Sequence, residues 1–236
     1  MTQTNKVLTP EDIYYMQSEV VKWNEVFGNS PTDKSLIPTY ENLVREEWGG
    51  EGEYYKSYLA RDLVGRADGI CDLIFTGMML ATLNSCHYTE NDHLWLEKVC
   101  SRPEPDRGEE VQGISLWINE MTFMHKELAA SLPYLLRAES NYMDIRAAFD
   151  RVLESNYSKA IHISANIDIE AEIARIEAQG RYAEVFAEVN GEWIILRAHR
   201  DLQEGKYFEK GKIAKGSWFL SVEALGGLGE FIYEGK

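Results

Sequence analysis

The sequence predicts a mainly α protein: a helical bundle over residues 1–157 with a small appendage over 158–236 that contains a β-hairpin. Three observations carry this. Apolar residues recur at three- and four-residue steps through the first two thirds of the chain. Residues 73–86, LIFTGMMLATLNSC, hold no charge, as expected of a helix buried on nearly all sides. In FAEVNGEWIILRAH, residues 186–199, two β-prone runs flank Asn190-Gly191, a hairpin signal.

A first helix is predicted over 10–27. Pro10 suits a first turn, Glu11 and Asp12 favour the positive end of the helix dipole, and Val20, Trp23 and Phe27 form a stripe. Gly28-Asn29 ends it. A second helix runs through YENLVREEW and is interrupted or bent at Gly49-Gly50. Helicity resumes in EYYKSYLARDL and again across 63–84, and a short helix is expected around DHLWLEKV before the loop SRPEPDRG. Residues 109–131 carry the clearest amphipathic pattern, with Ile114, Trp117, Met121, Met124 and Leu128 on one face. Pro133 opens a further helical stretch marked by Tyr142, Ile145, Phe149 and Val152. After the hairpin comes a Gly- and Lys-rich tail.

Composition narrows the function classes. The chain has 236 residues, 44% of them hydrophobic, enough to bury a substantial core. Its net charge of −15 argues against nucleic acid or anionic membrane as a partner, since both need basic surfaces. No apolar run reaches the roughly 20 residues of a membrane span, and MTQTNKVLTPEDIYY has no signal-peptide core. The three cysteines Cys71, Cys86 and Cys100 form no CxxC pair, so a reducing, cytoplasmic location is expected. Cys86, His87, His93 and Cys100 match no common zinc spacing and read better as buried thiols and surface histidines.

Asp68 and Asp72 head the uncharged run. Four residues apart on a helix, they lie about 40° apart on one face. The preceding helical region supplies Glu46, Glu47, Glu51 and Glu53. Facing helices would gather three or four carboxylates, which cannot all stay ionised without a cation between them. Oxygen ligands with no nearby His or Cys point to Mg²⁺ or Mn²⁺. The competing reading is an ordinary solvated acidic run near a helix N-terminus.

These residues carry a resemblance. LVREE, followed after some twenty residues by RADGICDLIFTGMMLA, resembles the two acidic motifs of the MazG-like all-α nucleoside triphosphate pyrophosphohydrolases. That group includes phosphoribosyl-ATP pyrophosphohydrolase and a bacteriophage branch, and VVKWNEVFG resembles its first helix. AFDRVLESNYSK, residues 148–159, and GKIAKGSWF, residues 211–219, resemble two signatures of the phage branch. The likeness covers residues 15–85 and 145–220 and leaves 87–110 and 160–205 uncovered. It implies a MazG-like bundle that assembles as a homodimer or homotetramer, binds Mg²⁺ through four acids and cleaves between the α- and β-phosphates. Glu46 or Glu47 matches the first acid; Asp72, and Asp68 as a variant, match the second pair. Many members carry a Glu where this chain has Gly50, and Glu51 stands one residue late.

The expected reaction is (d)NTP + H2O to (d)NMP + pyrophosphate, on a deoxynucleotide pool such as dGTP or dCTP. Metal ligands are then Glu46, Glu47, Glu51, Asp68 and Asp72, with Glu47 also the candidate to orient or deprotonate the water. The phosphates need cations and donors, for which Asn156, Ser158, Lys159, Lys212 and Lys215 are the candidates; Lys206 and Lys210 are not. Aromatics such as Trp23 or Phe27 would meet the base, although aromatics at helical spacing are more often core. Phosphoribosyl-ATP hydrolysis and a catalytically inactive nucleotide- or partner-binding bundle are the alternatives. The appendage counts against the first of these, and Gly50 favours the second.

Overall fold

Residues 6–48, 52–101 and 125–233 are described by a computed structural model, and the protein is mainly helical with a C-terminal antiparallel sheet. Gly49, Gly50, Glu51 and residues 109–124 of the amphipathic stretch 109–131 lie outside the described residues. Helix α1 (Pro10–Val26) begins at a reciprocal cap in which Thr9 accepts from the Asp12 N–H and Asp12 accepts from the Thr9 N–H. It ends in a Schellman turn. The Gly28 N–H reaches the Glu25 carbonyl, and the Asn29 N–H reaches the Asn24 carbonyl at 2.8 Å. The turn requires φ of +75° at Gly28, which glycine adopts without penalty.

Helices α2 (Ile37–Trp48), α3 (Glu53–Ala60) and α4 (Leu63–Leu83) follow. Arg61 closes α3 in the left-handed region, and Asp62 caps α4 by accepting from the Val64 and Gly65 N–H groups. Helix α4 is the centre of the bundle and packs against α1, α2 and α3. Its Ile70, Leu73, Ile74, Met78 and Leu80 are fully buried, each contributing roughly 1.5–3 kcal/mol of apolar burial. Gly69 permits the tight approach of α3: a Cβ there would sit 2.8 Å from the Tyr54 Cα. Where the helices meet, Arg66 and Glu139 form a buried ion pair, and Tyr54 Oη donates to the same carboxylate at 2.7 Å.

Helix α5 (His93–Cys100) is followed, among the described residues, by α6 (His125–Glu139) and α7 (Ile145–Tyr157). Here the sequence expectation is corrected. Pro133 lies inside α6 instead of opening a helix, and residues 140–144 break the helical path before Ile145. The C-terminal segment causes the break by taking the backbone groups a helix would use. The Asp144 N–H donates to the Phe231 carbonyl at 2.9 Å, and the Tyr233 N–H donates to the Tyr142 carbonyl at 2.8 Å. Asp144 then restarts the helix by capping the Ala147 N–H.

The appendage holds β1 (Ala160–His162), α8 (Ile169–Ala178), β2 (Tyr182–Asn190), β3 (Trp193–Asp201) and β4 (Lys206–Ile213). Strand β3 is central, with β2 along one edge and β1 then β4 along the other, all antiparallel. The expected hairpin is β2–β3, with Asn190 opposite Trp193. The Lys-rich tail segment is a strand that the hydropathy pattern hides, because its lysines occupy an edge. One face of the sheet packs on α8 through Ile176, Val185, Leu196 and Ala198. The other meets the end of α1, where Phe27 packs with Ala160 and Ile195. The chain then returns to the bundle, and Leu228 joins the main core.

Candidate functional site

Helix α2 presents a stripe toward the appendage: Thr39 and Tyr40, then Leu43, then Glu47, one helical turn apart. Helix α4 runs beside it and offers Asp72, Phe75 and Thr76. With Trp23 and Asn29 from α1 and the following turn, these residues wall a cavity of about 470 Å³. Asn156 and Lys159 close one side from the end of α7, and Arg197, Gly211 and Ile213 close another from the sheet. The volume lies within the range of small-molecule sites. Gly211 makes the sheet's approach possible, because a Cβ there would lie 2.8 Å from the Arg197 Cβ and 3.0 Å from the Phe186 ring.

The acids of this cavity are electrostatically strained. Burial pushes the Glu47 carboxyl up to about 8, helped by Asp72, Glu53, Glu46 and Asp68. Its Oε2 is buried and has no hydrogen-bond partner among the described residues. Burial also raises Asp72 to about 7, with Asp68 and Glu53 adding to the shift and Lys159 opposing it. Asp68 is exposed and not part of the cavity lining, and it is raised by desolvation, Glu53 and Glu223. Glu46 is exposed and acts on Glu47 from outside. Glu53, in the first turn of α3, belongs to the cluster by its effect on Glu47, Asp68 and Asp72.

Of the phosphate-contact candidates, Asn156 and Lys159 face the cavity. Lys159 Nζ donates to Asn156 Oδ1 at 2.5 Å, which leaves the Asn156 amide hydrogens without a partner among the described residues. Burial lowers Lys159 to about 8; Asp72 resists the shift and Lys215 adds to it. Lys215 is exposed, 4.3 Å above the Phe219 ring, and close enough to oppose the charge on Lys159.

Two candidates are otherwise engaged. Lys212 contributes to the cavity wall, but its ammonium is held by Asp201 at 3.1 Å and Glu204 at 2.6 Å. Ser158 Oγ accepts from the Leu220 N–H at 2.9 Å and donates to the Ser155 carbonyl at 2.7 Å. Serines 155 and 158 thus tie the tail to α7, while Asn156 and Lys159 between and after them face the cavity. Glu51 lies outside the described residues. Trp23 lines the cavity, whereas Phe27 is fully buried against the sheet. Sequence reasoning missed Asn29, Thr39, Tyr40, Leu43 and Phe75. The one available signal was the α2 stripe, apolar for two turns and ending in an acid.

Among the described residues, no three carboxyl, imidazole or thiol groups converge closely enough to hold a metal ion as they stand. The chemistry of the donor set nevertheless suits a hard divalent cation. It offers carboxylate oxygens alone, one of them buried and unpartnered, with pKa values that a positive charge would bring down. Comparisons with family models, with curated proteins and with solved structures find no match to this chain.

Proposed function

We propose that the protein is a Mg²⁺-dependent nucleoside triphosphate pyrophosphohydrolase, converting a (d)NTP to its monophosphate and pyrophosphate, with deoxynucleotides as the favoured pool. One observation carries the reading: the Glu47 carboxyl, whose buried Oε2 has no hydrogen-bond partner among the described residues, stands beside Asp72 in a nucleotide-sized cavity whose adjoining wall holds Lys159 and Asn156. A buried carboxyl oxygen left without a hydrogen-bond partner is held at a cost that folding alone does not repay. The acidic motifs noted in the sequence point the same way.

Glu47, Asp72, Asp68 and Glu53 would hold the cation, which supplies charge neutralisation for the phosphate oxygens. Lys159, with its pKa lowered to about 8 in the empty cavity, is mostly charged at neutral pH; an arriving phosphate chain raises that pKa, and the ammonium holds a phosphate oxygen as a charge-assisted donor. The Asn156 amide adds a second donor. The protein's remaining task is to position a water and take its proton, and Glu47 is placed to accept it, its Oε2 being uncommitted. Thr76 Oγ1 donates to the Asp72 carbonyl at 3.0 Å and so stays folded against α4 instead of competing for that water.

A second reading, a nucleotide-binding bundle without catalysis, is favoured by the absence of three converging ligands among the described residues. Pyrophosphate release from a panel of ribo- and deoxynucleoside triphosphates, with Mg²⁺ and with EDTA, separates the two. The hydrolase reading expects equimolar monophosphate and pyrophosphate that cease with EDTA. Release of orthophosphate, or tight binding without turnover of any triphosphate, overturns it.

A further inference from the structure

The end of the cavity away from the acids is shaped by a relay of three polar side chains. Asn24 is fully buried, and its Nδ2–H donates to the Val20 carbonyl at 2.9 Å. A carbonyl can only accept, so this bond settles which end of the Asn24 amide is which: its Oδ1 is the acceptor. The Tyr40 hydroxyl donates to that oxygen. With its proton committed there, the Tyr40 oxygen is left to accept from Asn29 Nδ2 at 3.3 Å. The same nitrogen lies 3.3 Å from Asn24 Oδ1. The polarity of Asn29 is therefore dictated, step by step, by a backbone carbonyl on α1. Its NH2 faces the relay, and its Oδ1 accepts no hydrogen bond among the described residues.

Asn29 lines the cavity, and its main chain is as firmly held as its side chain. The turn after α1 places its N–H on the Asn24 carbonyl at 2.8 Å, with Gly28 supplying the left-handed conformation. The partner Tyr40 stands seven residues before Glu47 on α2, about 10 Å along the helix axis. Leu43 and Phe75 line the space between. An apolar stretch thus separates the acidic pole from a fixed acceptor, as a ring separates the sugar-phosphate end of a nucleotide from the far edge of its base.

Taking the proposed nucleotide hydrolysis as its premise, we infer that Asn29 is the specificity-determining residue and that the site selects nucleotides whose base carries an exocyclic amino group. That group donates to Asn29 Oδ1. Uracil and thymine offer only a ring N–H flanked by two carbonyl oxygens, and those oxygens would face the Asn29 oxygen with no hydrogen between. Asn29 cannot turn its amide over to suit them, because the relay then sets its oxygen against Asn24 Oδ1 and leaves the Tyr40 oxygen without a donor. Discrimination arises chiefly from this rejected arrangement.

The test compares turnover within pairs that differ at the amino group: dCTP against dUTP, dATP against dITP, and dGTP against dITP. In the pair that contains the best substrate, wild type is expected to favour the amino member by at least about tenfold in kcat/KM. Asn29→Ala keeps the backbone bond to Asn24 and should bring that ratio close to one. Tyr40→Phe removes one of the two acceptors that hold the Asn29 NH2 and leaves Asn24 Oδ1 as the other, so it should narrow the ratio by less than Asn29→Ala does. A wild-type protein indifferent to the amino group overturns the inference without any variant. So does a ratio unchanged in Asn29→Ala, and both results leave the hydrolase reading standing. Failure to turn over any triphosphate removes the hydrolase reading and this inference together.

Discussion

Asp72 and Asp201 are both carboxylates largely surrounded by protein, and the fold shifts them in opposite directions. Burial would raise Asp201, but the Glu204 N–H, Lys212 and Arg181 overcome it and bring the carboxyl down to about 2. Asp72 finds one opposing charge, Lys159, and rises to about 7. The two lysines mirror the acids: Lys212 is raised despite its burial by Glu204 and Asp201, and Lys159 is lowered to about 8. The sheet has thus satisfied its buried charges, whereas the cavity has kept its own partly unpaired. Charge satisfied within the chain stabilises the fold, and charge left unsatisfied is available to a ligand.

The comparison is broken most directly by removing the cavity acids. Asp72→Asn and Glu47→Gln keep size and lose charge, and each should reduce turnover by on the order of 10²–10⁴. Far-UV circular dichroism should be unchanged, since among the described residues neither side chain has a basic hydrogen-bond partner to lose. Near-normal pyrophosphate release from either variant would mean that the acid is not part of the machinery.

The lysines give the next contrast. Lys159→Met should raise KM for a triphosphate by roughly 10–100-fold, the value of one charge-assisted contact, with little loss of stability. Lys212→Met should do the reverse. It takes the bridging ammonium away from Asp201 and Glu204 and leaves them to Arg181 and Lys206, so Tm falls while KM stays within a factor of about two. If Lys212→Met impairs substrate binding as strongly as Lys159→Met, the division between a satisfied sheet and an unsatisfied cavity fails.

How much of this was legible in the sequence follows from how local each feature is. The first turn of α1 at Pro10, Glu11 and Asp12, its Gly28-Asn29 end, the buried run of α4 and the β2–β3 hairpin depend on neighbouring residues, and pattern reading found them, although it passed over the equally local Thr9 cap. Asp72, Glu47, Asn156 and Lys159 were singled out from the sequence, and the fold gathers them around one cavity, with exposed Asp68 acting on its acids from outside the lining. Lys212 and Ser158 were assigned to phosphate from the same motifs, but their partners, Asp201 and Leu220, lie 11 and 62 residues away. No local pattern reports such pairings. The break before α7 was missed for the same reason, because Phe231 and Tyr233 impose it from the far end of the chain. The Asn24–Tyr40–Asn29 relay uses residues of unremarkable spacing that become a unit only when α1 and α2 pack.

Protonation provides a thermodynamic check. Asp72 rises from 3.8 to about 7 and Glu47 from 4.5 to about 8, so the folded chain holds protons that the unfolded chain has released in between. Folding therefore takes up protons between about pH 4 and pH 8, and without divalent cation this contribution to stability is lost as pH rises through that window. Lys159 acts above it: with its pKa lowered from 10.5 to about 8, it makes stability rise again toward alkaline pH. In EDTA at pH 8, Asp72→Asn should therefore be more stable than wild type by roughly 2 kcal/mol, after allowance for solvent on the open side. Thermal melts at pH 5 and pH 8 measure it, and a difference of the same size at both values would detach the effect from the Asp72 charge.

The smallest expected effect concerns Ser158, which the sequence places beside Lys159 and the fold assigns to a different task. Its hydroxyl accepts from the Leu220 N–H and donates to the Ser155 carbonyl, while Ser155 Oγ donates to the Leu220 carbonyl at 2.8 Å. The pair clamps the chain just after Lys215 onto the end of α7, so its removal acts on the tail before it acts on the substrate. Ser158→Ala leaves the Leu220 N–H to solvent at a partly exposed site, and the cost should be about 1 kcal/mol. Lys159 and Asn156 keep their mutual bond, so KM for triphosphate should stay near the wild-type value while amide exchange in residues 215–222 quickens. A rise in KM comparable to that of Lys159→Met, with exchange in the tail unaltered, would return Ser158 to the phosphate site and remove the clamp from the account.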